Sequence, residues 1–115
     1  ILGKNHQVGI DIEFMSNKIE RLASKYLDNT ELASVVPENK ILHLYVYWCA
    51  KETLYKIHSK KNINFINNLI ISPFELKEKG QFKGTINTNS SKKEYLLNYF
   101  TFNNYTVVWG CKEVY

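Results

Sequence analysis

Asp11 and Glu13 stand two positions apart in the stretch Val8-Gly9-Ile10-Asp11-Ile12-Glu13-Phe14. After Gly9 polar and apolar residues alternate with the period of a β-strand, so both acids project from one face, roughly 6 to 7 Å apart at the backbone. Two carboxylates so placed repel each other unless a cation lies between them. Hard divalent ions such as Mg²⁺ prefer oxygen donors in this arrangement, with phosphate oxygens and water completing the shell. Taken alone, Asp-x-Glu also reads as an ordinary solvent-facing strand face. Ile10, Ile12 and Phe14 take the opposite face, which the alternation assigns to a core.

The second cluster is Trp48-Cys49-Ala50-Lys51-Glu52-Thr53-Leu54-Tyr55-Lys56. On a helix Glu52 and Lys56 share a face one turn apart, with Trp48 one turn the other way. By itself this is a surface Glu–Lys pair worth about a few tenths of a kcal/mol beside a core aromatic. The two clusters gain chemical meaning only if the fold brings them together.

The intervening sequence offers elements able to do so. Over 16–36 the spacing is helical, with Ile19, Leu22, Ala23 and Tyr26 on one side and a break at Asp28-Asn29-Thr30-Glu31. Thr30 or Asp28 caps a short second helix that stops before Pro37. A longer helix is predicted over 38–58, where Leu42, Tyr45, Val46, Cys49, Ala50, Thr53, Leu54 and Ile57 recur at three- and four-residue steps. Beyond Lys60-Lys61-Asn62 the pattern turns to strands: Leu69–Ile71, 82–86, then 95–102 and 105–109 flanking an Asn103-Asn104 hairpin turn. The expected architecture is α+β: an antiparallel sheet of about four or five strands packed against the central helix, with the Asp11 strand beside it so that three acids converge.

Composition narrows the classes. A chain of 115 residues, 44% apolar and 14% aromatic, is one globular domain rather than a disordered segment. The net charge of +4 suits an acidic partner, whether nucleic acid, a phosphorylated small molecule or an acidic protein surface, although most of the lysines read as a solvated face. The strand aromatics Tyr95, Tyr99, Phe100, Phe102 and Tyr105 lack the interleaved basic residues of a nucleic-acid stacking platform, so they are assigned to core and sheet packing and nucleic acid is not an expected partner. Cys49 and Cys111 form no CxxC pair, which argues against a zinc site or a disulfide framework and for a reduced, cytoplasmic setting. No apolar run approaches the ~18 residues of a membrane span. His6 is assigned no role, and His43 and His58 are expected at the surface or partly packed.

Taken together, the strand Gly-Ile-Asp-Ile-Glu, a helical stretch, and then Trp-x-x-Lys-Glu-x-x-x-Lys resemble the signature of the 4′-phosphopantetheinyl transferase superfamily. Tyr26-Leu27-Asp28-Asn29-Thr30-Glu31 resembles that family's aromatic-x-x-x-x-Glu segment, and the resemblance runs over 8–71. Glu13 directly after Ile12, and Trp48 before Ala50-Lys51-Glu52, are similar to the larger surfactin-synthetase-activating type, a pseudo-dimer of two halves in one chain. This sequence is similar to the second half, and its start without methionine agrees.

The resemblance implies Mg²⁺-dependent transfer of 4′-phosphopantetheine from coenzyme A to a serine of an acyl or peptidyl carrier protein. It makes Asp11, Glu13 and Glu52 the metal ligands. Lys51 and Lys56 become phosphate contacts to coenzyme A, Glu52 and Lys56 catalytic residues, and Glu31 a glutamate near the site. The base that takes the serine proton is left open between Glu52 and a metal-bound water. Contacts that the family's first half makes to coenzyme A have no counterpart here, so pairing with an N-terminal half or self-association is expected. The alternative is a non-catalytic domain of the same fold that binds a carrier protein, with Lys56, Lys60 and Lys61 as contacts.

Overall fold

The computed structural model describes residues 9–58 and 62–113, without the side chains of 111–113; His6, Lys60 and Lys61, and the thiol of Cys111, lie outside the described residues. Strand β1 (Gly9–Phe14) is followed by helices α1 (Ile19–Tyr26) and α2 (Asn29–Ser34), a 3-10 turn (Pro37–Asn39) and the long helix α3 (Lys40–His58). Four strands follow: β2 (Leu69–Ile71), β3 (Lys79–Asn87), β4 (Lys92–Phe102) and β5 (Tyr105–Glu113). All pair antiparallel in the order β1-β5-β4-β3-β2, and α3 lies across one face of the sheet, touching β5, β1, β2 and β3. The expected α+β fold is the one observed.

Local chemistry accounts for the boundaries. Asp28 caps α2 through a capping box: Glu31 N–H donates to Asp28 Oδ1 at 2.8 Å and Asp28 N–H to Glu31 Oε1 at 2.9 Å. Asn103 and Asn104 close the β4–β5 hairpin with φ of 47° and 65°, the left-handed region that asparagine tolerates better than most residues and that such two-residue turns require. Inside the fold α3 is buried on several sides, with Leu44, Val46, Tyr47, Cys49, Ala50 and Leu54 all enclosed. It is fixed to β5 by hydrogen bonds as well as apolar contact, since Thr53 Oγ1 bonds Val108 O at 3.2 Å and Cys49 Sγ bonds Thr106 O at 3.5 Å.

Four placements differ from expectation. Ile10, Ile12 and Phe14 face outward, 53%, 57% and 57% exposed, while Asp11 and Glu13 face α3. Alternation separates two faces but does not say which is inside, and here the polar face meets the helix. The outward apolar face continues across the sheet, because Ile12 pairs with Val107, Phe14 with Tyr105, Phe100 with Val107 and Phe102 with Tyr105. Of the strand aromatics only Tyr95 and Tyr99 enter the core; Phe100, Phe102 and Tyr105 belong to the exposed face. His43 is buried rather than peripheral: its Nδ1 accepts from Val36 N–H at 3.1 Å and its ring stacks on Tyr47, so burial lowers its pKa and keeps it neutral. In α1, Ile19, Ala23 and Tyr26 are buried but Leu22 turns to solvent.

Candidate functional site

β1 approaches α3 closely enough that only glycine fits at its start. A Cβ on Gly9 would lie 2.8 Å from both Thr53 O and Ile57 Cγ1. Asp11 and Glu13, two and four residues on, share that helix-facing side. On α3 the stripe Trp48, Glu52, Lys56 rises at one-turn intervals. The fold therefore brings the two sequence clusters into one place.

The contacts there are unevenly balanced. Lys56 Nζ donates to Asp11 Oδ1 at 2.8 Å and to Ile10 O at 2.9 Å. Asp11 is 5% exposed, and its other oxygen, Oδ2, is enclosed without any donor. The neighbouring Glu13 carboxyl can supply a donor only when protonated, because two carboxylates cannot bond without a proton between them. Its pKa is pushed up to about 7, first by burial, then by the hydrogen bond to Asp11 and the charges of Asp11 and Glu52, with Lys56 opposing. Burial and then the Asp11 charge raise Glu52 as well, again against Lys56. Lys56 holds its own proton more firmly, chiefly through its hydrogen bond to Asp11. Among the described residues three acids thus face one ammonium, and burial together with their mutual repulsion leaves two of them with a raised affinity for protons.

As placed, no three Asp, Glu, His or Cys side chains among the described residues are set to hold a single metal ion. Asp11, Glu13 and Glu52 form a shared electrostatic cluster rather than a finished coordination shell. Its chemistry still suits a hard divalent cation: the donors are all oxygen, one of them is buried and partnerless, and burial first and neighbouring acids next raise the proton affinities of Glu13 and Glu52.

Lys51 is not at this site. One residue before Glu52, it turns to another side of α3 and is completely enclosed, with Nζ donating to Glu31 Oε1 at 2.7 Å and to Phe65 O at 2.8 Å. Glu31, 1% exposed, also accepts from Ile71 N–H at 2.9 Å through Oε2 and from Asp28 N–H through Oε1. Burial pushes Glu31 up and Lys51 down, and the hydrogen bonds between them pull each back toward its charged form. The phosphate contact expected at Lys51 is set against an ammonium that here is enclosed and bonded to Glu31 and Phe65 O. Glu31 is correspondingly a clamp among α2, α3 and β2.

Sequence reasoning missed an aromatic wall beside Glu52. Trp48 packs against Tyr26 and Phe65, with ring centroids 5.1 and 5.8 Å apart, and Tyr55 against Phe65 at 5.5 Å. The available signal was Phe65 itself, a lone aromatic in the asparagine-rich run 62–68. Cys49 lies behind the acids, where burial first and the charges of Asp11 and Glu13 next raise its thiol pKa and leave it unreactive.

Comparison with known proteins gives one family. The model described as 4′-phosphopantetheinyl transferase superfamily matches residues 7–113. No curated protein matches the chain.

Proposed function

The chain belongs to the 4′-phosphopantetheinyl transferase superfamily, and on that premise we propose that Asp11, Glu13, Glu52 and Lys56 are the centre at which it transfers phosphopantetheine. Membership implies the coarse activity: transfer of phosphopantetheine from coenzyme A to carrier proteins. The finer reading is that the chain is the C-terminal half of an enzyme of the surfactin-synthetase-activating type, working in the cytoplasm as a holo-acyl-carrier-protein synthase on an acyl or peptidyl carrier.

In the reaction the carrier serine Oγ forms a bond to the phosphorus bearing the pantetheine arm. The phosphoanhydride bond breaks, adenosine 3′,5′-bisphosphate leaves, and the serine proton passes to a base. A Mg²⁺ ion held by Asp11, Glu13 and Glu52 would supply charge neutralisation for the diphosphate. Lys56, exposed along its stem, delivers an ammonium to a phosphate oxygen. Glu52, one turn from Lys56 on the same face of α3, takes the serine proton. Lys51 and Glu31 hold the helix register that presents Glu52 to β1.

The observation that carries this reading is the uncompensated charge of three acids around one lysine, with Asp11 Oδ2 buried and partnerless. Mass spectrometry of an apo carrier protein incubated with coenzyme A, Mg²⁺ and the full-length protein should show the phosphopantetheinyl mass gain, and Glu52→Ala should abolish it. An unchanged gain with Glu52→Ala would remove the centre from this place.

The exposed apolar face of β1, β5 and β4 supports the other half of the proposal, that this sheet is covered by a companion N-terminal half or by a second copy. Ile12, Phe14 and Phe102 are each more than half exposed, at 57%, 57% and 63%, on one continuous surface. Light scattering on the chain alone decides between them: a clean monomer leaves only the companion half.

A further inference from the structure

Lys56 is positioned to do more than meet a phosphate. Its ammonium already rests on Asp11 Oδ1 and on Ile10 O, at 2.8 and 2.9 Å. It is the cation whose charge Glu13 and Glu52 both feel. Among the described residues no substitute stands next to it on the helix, since the Lys51 ammonium is enclosed by Glu31 and Phe65 O on another side. The Lys56 side chain is 47% exposed on a flexible stem, whereas the Asp11 side chain is 6% exposed between strand and helix. The lysine can leave the contact; the aspartate cannot.

We propose that the Lys56 ammonium competes with a divalent cation for the Asp11 carboxylate, so that the cluster takes up metal tightly only together with an anionic phosphate ligand that receives the displaced ammonium. This rests on the reading that Asp11, Glu13 and Glu52 hold the metal. Like charges a few ångströms apart in a partly buried setting repel far more strongly than in water. Asp11 is confined by its burial, so loss of the lysine changes its aim little, while the charge of the cluster changes by a full unit. The repulsive effect therefore outweighs any orienting one. A phosphate oxygen offers the departing ammonium a charge-assisted bond in place of the one it gives up. Metal and phosphate ligand then bind with positive coupling, each easing the other's entry.

The test measures Mn²⁺ binding to the full-length protein by electron paramagnetic resonance of the free ion, with and without coenzyme A, for wild type, Lys56→Met, Lys56→Arg and Asp11→Asn. Lys56→Met should bind Mn²⁺ at least tenfold more tightly than wild type without coenzyme A, and the tightening that coenzyme A produces in wild type should shrink. Lys56→Arg, which keeps the cation, should behave as wild type. Far-UV circular dichroism confirms that each variant is folded, and Lys56→Gln replaces Lys56→Met if the latter is not. If Asp11→Asn abolishes binding but Lys56→Met binds Mn²⁺ equally or more weakly, the competition is overturned while the metal role of the acids stands. If neither wild type nor Lys56→Met binds Mn²⁺ under any condition, both are overturned.

Discussion

Lys51 and Glu52 are consecutive residues of α3, yet the charges they join are balanced in opposite ways. On the Lys51 side, one ammonium and one carboxylate are sealed together with two backbone N–H groups and a carbonyl, leaving no oxygen of Glu31 unpaired. On the Glu52 side, three acids share one half-exposed ammonium, and an oxygen of Asp11 is left without a donor. A fully satisfied buried network fixes a structure, because disturbing it costs more than the contacts it replaces. A cluster held short of satisfaction keeps free energy available for a ligand that completes it. Identical residue types in neighbouring positions thus divide into scaffold and proposed centre by how completely they are compensated.

The largest effect should come from breaking the satisfied side. Glu31→Ala leaves the Lys51 ammonium enclosed with only Phe65 O, and stranding a buried charge in this way costs about 3–5 kcal/mol. Against a total stability of about 5–15 kcal/mol that is enough to unfold a marginal domain. Urea unfolding measures it. The double replacement Glu31→Leu with Lys51→Met, which strands nothing, should recover much of the loss. A cost below about 1 kcal/mol for Glu31→Ala would erase the distinction between the two sides.

Glu52→Gln probes the other side with nearly the same shape and one charge fewer. Transfer to the carrier should fall by about 10²–10³-fold, as when one electrostatic stabiliser is removed from a reacting centre. Unfolding free energy should hold or rise, since one of three mutually repelling acids is gone. A variant that lost stability and activity in parallel would place Glu52 in the scaffold instead.

The same contrast explains what the sequence disclosed. Element order was legible: the capping box at Asp28 and Glu31, the Asn103-Asn104 turn and the long apolar spacing of α3 are local signals, and each element formed close to where its signal lay. The meeting of Asp11 with the Glu52 helix came from a family resemblance, not from periodicity. The exposure of Ile10, Ile12 and Phe14 was not legible, because an apolar-polar alternation looks the same whichever face meets the core. The surroundings of Lys51 were hidden for a related reason. Nothing local tells whether a lysine one step from a glutamate turns to solvent or inward, and its partner Glu31 lies twenty positions away. Compensation of charge is a tertiary property, so sequence separated the two sides of α3 least well where they differ most.

Acidity offers a smaller handle on the same difference. Glu13 is raised from 4.5 to about 7, so between those values the folded chain keeps a proton that the unfolded chain has released. Its contribution to stability is complete below about pH 4.5 and is lost as pH rises through about 7, and Glu52 shifts in the same direction. Thermal melting in a chelator should therefore fall between pH 5 and pH 8, and Glu13→Gln should flatten that slope. Saturating Mg²⁺ should do likewise at the upper end, by replacing the proton with a cation. A wild-type melting temperature that is level across this window would mean that the cluster is already compensated.

The smallest change tests whether the scaffold side can be weakened without touching the chemistry. Asp28 supplies the helix cap that accepts Glu31 N–H, and its own N–H completes Glu31 Oε1, but it has no contact with Asp11, Glu52 or Lys56 among the described bonds. Asp28→Ala removes only the side-chain half of that box and should cost about 1 kcal/mol in urea unfolding. Because Lys51, itself held by Phe65 O, and Ile71 N–H still hold Glu31, the register of α3 should survive and the transfer rate at a temperature well below melting should be unchanged. Stability and rate would then move independently, as they must if one side of the helix holds its shape and the other does the chemistry. A drop in rate that exceeds the fraction unfolded would show that strain at the α2 cap reaches Glu52, one residue from the clamp, and that the two sides act as one.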